Sequence, residues 1–294
     1  MGNLFVCNTS SDNIAIVSLE NFKMENQISL SNDFRNRVGP HGICLYKSEL
    51  LVANNYSNSI CRIGIKENKM LDNFFIGFHC NDVTVLEDKA YIVCGESNSM
   101  IVFDLIKNQF EELIPCENGP HSISSNKEKK IIVVANMEND SITLMDCSSG
   151  IKVSNIRVGN YPTKALISVD GNYIYVCESN LGRDARGSIS IISTKTQVVL
   201  FRILVGNSPV DMCSDEKFCL VSNSGDGTLS LINMNYHIEA KSLNVGGMPR
   251  GIIKHGKYIY VGDNYNNTLM QIEFLKGTKK VMPIGGEPTG MIIV

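Results

Sequence analysis

The sequence has 294 residues, 27 Lys plus Arg against 30 Asp plus Glu, a net charge of −3 and a hydrophobic share of 43%. That length suits a single domain, residues 1–294, with a sizeable buried core, and that composition excludes a disordered chain. The mild acidity argues against nucleic acid as a partner, and no apolar run reaches the roughly 20 residues of a membrane-spanning helix, so no membrane is expected either.

The chain opens with MGNLFVCNTSSDN, which has neither a basic nor an apolar leader segment. This predicts a cytoplasmic protein, whose ten cysteines are reduced thiols packed as small hydrophobes. From there one unit recurs. A first apolar run ends in a polar residue: LFVCN (4–8), LLVAN (50–54), YIVCG (91–95), IVVAN (132–136), YIYVCE (173–178), CLVSN (219–223) and YIYVGD (258–263). A small-polar turn and a second alternating run follow, among them NIAIVSL, SICRIGI, SMIVFDL and TLSLIN. A third run ends near Gly and Pro, and a fourth follows the Pro.

The Pro anchors are Pro40, Pro120, Pro162, Pro209, Pro249 and Pro288, with Cys80 in the Pro position of the remaining unit. Counting Cys80, successive anchors are 40, 40, 42, 47, 40 and 39 residues apart. That period suits four short strands with their turns, and alternating apolar residues between Gly, Asn, Asp and Ser read as strands. One four-stranded sheet cannot bury both faces alone. Seven of them stacked in a ring can, which predicts an all-β, seven-bladed β-propeller of four-stranded antiparallel blades. The chain starts on the second strand of a unit and stops after a first strand. Residues 287–294 are therefore expected to pair with the N-terminal blade (residues 4–30) and close the ring.

The units resemble the YVTN-repeat seven-bladed β-propeller family. The matching residues are Tyr175-Val176-Cys177-Glu178, Leu51-Val52-Ala53-Asn54 with Ser57-Asn58-Ser59, Val158-Gly159-Asn160-Tyr161-Pro162 and the turn Ser168-Val169-Asp170-Gly171-Asn172. This resemblance covers the whole chain and implies the fold, which hosts enzymes, binders and scaffolds alike. Pro40-His41-Gly42-Ile43-Cys44 and Pro120-His121-Ser122-Ile123 have the form of the Pro-His-Gly-Ile strand starts of the streptogramin B lyases. That fainter resemblance implies a propeller enzyme with active histidines, a divalent metal ion and nearby Glu.

In such a ring the residue after each Pro faces the channel mouth. Those residues are His41, Asn81, His121, Thr163, Val210, Arg250 and Thr289, followed by a second tier that includes Asp82, Lys164 and Asp211. Three of the five histidines, His41, His79 and His121, fall here on three consecutive blades, with Asp82 and Glu96 in the same sector. Imidazoles beside carboxylates suit proton transfer near neutral pH. His41, His121 and Asp82 are the candidate catalytic residues. His79, Asn81, Glu96, Lys164, Asp211, Arg250 and Arg183 are the candidate substrate-binding residues. His41 and His121 are separated by a blade, which favours acid and base on two sides of a substrate over a shared metal, though a divalent metal ion stays an option as cofactor.

Two longer connections, residues 31–39 and 178–188, bring Arg35, Arg37, Arg183 and Arg186 to the same face. With Lys164 and Arg250 they suggest an anionic ligand, against the plainer reading of solvated charges offset by Asp33, Asp184 and Glu178. The expectation is a monomeric lyase or hydrolase acting on a small polar or anionic molecule at the mouth. The alternative is a non-catalytic scaffold that binds a protein or peptide.

Overall fold

The computed structural model describes residues 2–31, 35–183, 185–215, 217–273 and 276–294. The second strand of each unit is apolar on both faces because sheets cover it on both sides. In Glu49–Asn54, Leu51 and Ala53 pack towards the sheet that follows, and Leu50 and Val52 towards the sheet that precedes. Burial fades outward from there. The outermost strands, such as Lys23–Ser29 and Lys69–Phe75, are mostly exposed.

The described residues form seven four-stranded antiparallel sheets. We number the blades in chain order. Blade 1 joins Pro288–Ile293 to Asn3–Asn8, Asn13–Ser18 and Lys23–Ser29. The inner strands of blades 2 to 7 are Pro40–Tyr46, Cys80–Leu86, Pro120–Asn126, Pro162–Ile167, Pro209–Ser214 and Pro249–His255. The only helix among the described residues is the 3-10 turn Thr9–Ser11, and none is long and apolar enough to cross a membrane.

There is no single core. Seven apolar clusters lie one at each interface between neighbouring blades, the last joining blade 7 to blade 1 through Tyr260, Leu269, Leu4 and Val6. Each fully buried Leu or Ile contributes about 1.5–3 kcal/mol, so stability is shared around the ring.

Closure follows the expected route. Leu4 pairs with Ile293, Phe5 with Ile292 and Val6 with Met291. Asn3 and Val294 exchange backbone hydrogen bonds of 2.8 and 2.9 Å, and Thr9 N–H donates to the Glu287 carbonyl at 3.1 Å. Removing residues 287–294 exposes a strand edge in blade 1 and strips its inner face. The truncated chain should lose its cooperative urea transition. A truncated chain with the midpoint of the full-length protein would show that the ring does not need this latch.

Candidate functional site

Every inner strand breaks register just after its first residue. Pro40 faces Asn54 but Gly42 faces Ala53, leaving His41 unmatched. The same shift isolates Asn81, His121, Thr163 and Val210 in their blades. It also falls between Pro249 and Ile252 and between Pro288 and Met291. A bulge re-aims its extra residue and frees that residue's backbone groups. The side chain at each position therefore turns towards the axis, and the neighbouring blade takes the freed carbonyls. His41 Nδ1 bonds the Asn81 carbonyl at 2.8 Å, and His121 Nδ1 bonds the Thr163 carbonyl at 2.9 Å. Thr163 Oγ1 donates to the Pro209 carbonyl at 2.9 Å, and Thr9 Oγ1 to that of Pro40 at 2.8 Å.

A carbonyl only accepts, so Nδ1 of each imidazole carries the proton and Nε2 holds the lone pair. The two rings meet edge to face with centroids 5.8 Å apart. Burial, then the Arg250 charge, holds the His41 imidazole well below its ordinary value and moves that of His121 down to about 4. Both are neutral at physiological pH.

His41, His121 and Arg250 line two cavities at once. Outward lies a polar mouth of about 540 Å³ with Asn55, His79, Asn81 and Glu96 on its wall. Inward lies a chamber of about 380 Å³, where Asp82, Lys164 and Asp211 face apolar walls that include Leu166, Met212 and Met291. The three residues form the partition between mouth and chamber.

The two cations at the hub differ in kind. Lys164 Nζ lies 3.4 Å from Asp82 Oδ2 and 3.6 Å from Asp211 Oδ1. Burial opposes its charge, but the two carboxylates outweigh burial and raise the ammonium. Burial in turn raises Asp211, against the pull of Lys164. Asp82 also accepts from the backbone N–H groups of Val83 (3.0 Å) and Ile123 (3.2 Å), and Asp211 from that of Ile252 (3.2 Å). Ser122 Oγ accepts from Ala165 N–H in the same way, so with the Lys164–Asp211 pair this tier ties the inner strands of blades 3 to 7 in series. Arg250 has no such complement. Among the described residues none forms an ion pair or a side-chain hydrogen bond with its guanidinium, and burial lowers it from its ordinary value.

The structure brings together the candidates His41, His121, Asp82, Asn81, Lys164, Asp211 and Arg250. His79 and Glu96 sit on the outer wall of the mouth, with Nδ1 and Oε1 3.8 Å apart, both well exposed. Glu96 is not the counterpart of Asn54 and Asn136, however. Cys94 ends the second strand of blade 3, and Glu96 lies two residues on, in the turn. Arg183 is exposed and lines neither cavity, and with the Asn160 amide turned to donate to Asp140, its guanidinium bonds the Asn160 oxygen at 3.1 Å.

Two other loop cations also have protein partners. Arg37 pairs with Asp12 at 2.7 Å, and Arg186 with Glu239 at 3.0 Å. Asp33 and Asp184 lie outside the described residues. Sequence reasoning missed the bulge, the contact between the two imidazoles and the apolar chamber wall. The repeated Pro signals the start of the strand, but residue order says nothing of channel width.

A divalent metal is poorly served here. Among the described residues no group of three or more His, Cys, Asp or Glu side chains is placed to hold one. The imidazole pair supplies two donors and sits beside a guanidinium.

Two outcomes follow for stability. Above about pH 6.5 His121 is neutral folded and unfolded alike, and below that only the unfolded chain takes the proton. Stability should therefore fall with pH from about 6.5 towards about 4, and His121→Gln should flatten that slope in urea midpoints. An unchanged slope would contradict the buried neutral imidazole. Lys164→Met leaves two inward carboxylates without their cation and should cost about 3–5 kcal/mol. Lys107→Met at the solvent-screened Asp104 pair should leave the urea midpoint almost unchanged. Equal costs would mean that the hub network does not hold the strands.

No family model matches this chain, and no curated protein matches it. Solved structures do. A functionally unknown protein from Desulfotomaculum acetoxidans is 16% identical over 99% of this chain and 98% of its own, with a TM-score of 0.79. Hydrazine synthase of Kuenenia stuttgartiensis is 16% identical over 96% and 92%, TM-score 0.74, and apo AztD from Citrobacter koseri is 12% identical over 100% and 97%, TM-score 0.74. At these identities the likeness establishes the seven-bladed fold alone.

Proposed function

We propose that this protein is a small-molecule enzyme, a lyase or hydrolase, that anchors an anionic group of its substrate at the hub and moves a proton with the imidazole pair. The observation that carries this reading is Arg250, a half-buried guanidinium that forms no ion pair or side-chain hydrogen bond among the described residues and feels Asp211 and Glu287 only at longer range, beside two neutral imidazoles. An unpaired buried cation is costly, and a carboxylate or phosphate bound in bidentate fashion offsets that cost. Substrate enters through the mouth, its anionic group meets Arg250, and the reacting end lies against His41 and His121.

Nε2 of one imidazole accepts a proton from carbon or from an attacking water. The imidazolium so formed then returns that same proton to the leaving group, directly or through the second imidazole, so that both rings end neutral. Such a base contributes about 10²–10⁴-fold to rate. Lys164 and Asp211 face the reacting end from the chamber, with Asp82 engaged in holding Lys164 and the inner strand of blade 4. Asn81 fixes the His41 tautomer, and His79 and Glu96 meet the part of the substrate that stays in the mouth.

The YVTN-repeat likeness fits this architecture. The likeness of residues 40–44 and 120–123 to the streptogramin B lyase strand starts favours elimination. This chain's own donors support a version in which the histidines transfer the proton without a metal. A peptide-binding scaffold is the second reading, favoured by Phe75 and Phe78, which are 71% and 56% exposed with ring centroids 6.3 Å apart.

Incubation in D2O with a panel of small hydroxy-, oxo- and amino-carboxylates, followed by proton NMR, tests the first reading. Deuterium incorporation or elimination should appear with at least one acid. His41→Ala or His121→Ala should slow it about 100-fold, and Arg250→Gln should raise KM. An inert panel together with a co-purifying peptide lost on Phe75→Asp would instead establish the scaffold.

A further inference from the structure

In six blades the residue that opens the inner strand and the one that closes the second face each other as Pro with an amide or acid. The pairs are Pro288–Asn8, Pro40–Asn54, Pro120–Asn136, Pro162–Glu178, Pro209–Asn223 and Pro249–Asp263. Blade 3 alone places Cys80 opposite Cys94. Both members of the pair depart from the pattern together, and to the same residue.

The backbone suits a bond between them. Gly95 N–H donates to the His79 carbonyl at 3.0 Å, so the adjoining pair, 80 and 94, falls at the non-hydrogen-bonded site. There opposed Cα atoms approach to about 4.5 Å, within the roughly 4.4–6.8 Å that disulfides span. The two sulfurs lie 3.2 Å apart, and both residues are fully buried. Their cover is thin. Cys80 Sγ reaches the Gly77 carbonyl at 3.6 Å, and a Cβ at half-buried Gly77 would stand 3.3 Å from Cys94 Sγ. The bond to Cys94, then burial, pushes the Cys80 thiol up, so its reactivity awaits movement of the 76–79 connection.

We propose that Cys80 and Cys94 form a reversible dithiol–disulfide site, closed by a small peroxide, which staples the inner strand of blade 3 at the mouth. One thiolate attacks the peroxide O–O bond, forming an S–O bond and releasing hydroxide, which takes up a proton to leave as water. The second sulfur then displaces the hydroxyl group from that sulfenic acid. An S–S bond forms, the S–O bond breaks, and a second water leaves. Two thiols lose two electrons and hydrogen peroxide gains them. Asn81, the next residue after Cys80, holds the His41 tautomer, so the staple reaches the hub through one peptide unit. The site rests on blade 3 alone and stands whether or not the hub is catalytic.

The full-length protein is treated with hydrogen peroxide, cleared of it, denatured and alkylated. Eight of the ten thiols should label (ten less the pair), a peptide joining Cys80 to Cys94 should appear, and dithiothreitol should restore all ten. Cys94→Ala should abolish the joined peptide. Should that variant fail to fold, Cys80→Pro with Cys94→Asn installs the pair used by the other blades and should fold without the cross-link. Ten labelled thiols after treatment, or oxidation of half-buried Cys44, Cys116, Cys147 or Cys213 with Cys80 and Cys94 untouched, would overturn the proposal.

Discussion

One backbone irregularity, repeated in every blade, makes this hub what it is. Strictly paired inner strands would alternate side chains between the two faces of each sheet and give the axis backbone only. The extra residue after each opening position rotates one side chain per blade into the channel and frees its carbonyl. That carbonyl then orders the neighbour. The imidazoles of blades 2 and 4 are locked by the freed carbonyls of blades 3 and 5, and threonines of blades 1 and 5 tie to the Pro carbonyls just before the bulge in blades 2 and 6. The same bonds that join the blades thus fix the tautomer of the hub imidazoles, while burial and Arg250 keep them neutral.

The hub sorts its charges by tier. Lys164 shares two carboxylates, and those carboxylates also hold backbone amides of the following blades, so this tier stabilises the ring. Arg250, in the partition between mouth and chamber, forms no ion pair among the described residues, feels Asp211 and Glu287 only at longer range, and lowers the proton affinity of both histidines. A bound anion would reverse that influence and make imidazolium easier to form. Under the proposed function, anion binding is thereby linked to proton uptake. On the far side of the ring, Gly251 and Gly290 let the inner strands approach so closely that a Cβ would strike the carbonyls of Thr289 and His41. That narrowness brings residues from non-adjacent blades into contact.

Much of this was legible in the sequence. Spaced anchors, six Pro and Cys80, mark the number of blades, the staggered ends mark the closure, and the residue after each anchor marks the ring of His41, Asn81, His121 and Arg250. What escaped has a physical reason. Order around a ring is encoded locally, whereas its diameter depends on how tightly seven sheets pack, so the separation of His41 and His121 by a blade did not reveal their edge contact. Charge is visible as residue type but not as pairing. Arg37 and Arg186 looked available for a ligand and are held by Asp12 and Glu239. Asp82, a candidate catalytic carboxylate by sequence, also accepts from the Ile123 N–H of the next blade, a contact that residue order does not show. Cys80 stood out as a missing Pro, but its partner emerged only with the strand register.

Everything proposed for the hub depends on two neutral imidazoles protonated on Nδ1, each keeping its Nε2 lone pair. Long-range proton–nitrogen NMR of protein labelled with ¹⁵N-histidine measures this directly at neutral pH, with signals assigned by His41→Gln and His121→Gln. Both residues should show the Nδ1–H tautomer. An imidazolium pattern, or a proton on Nε2 of either ring, would contradict it.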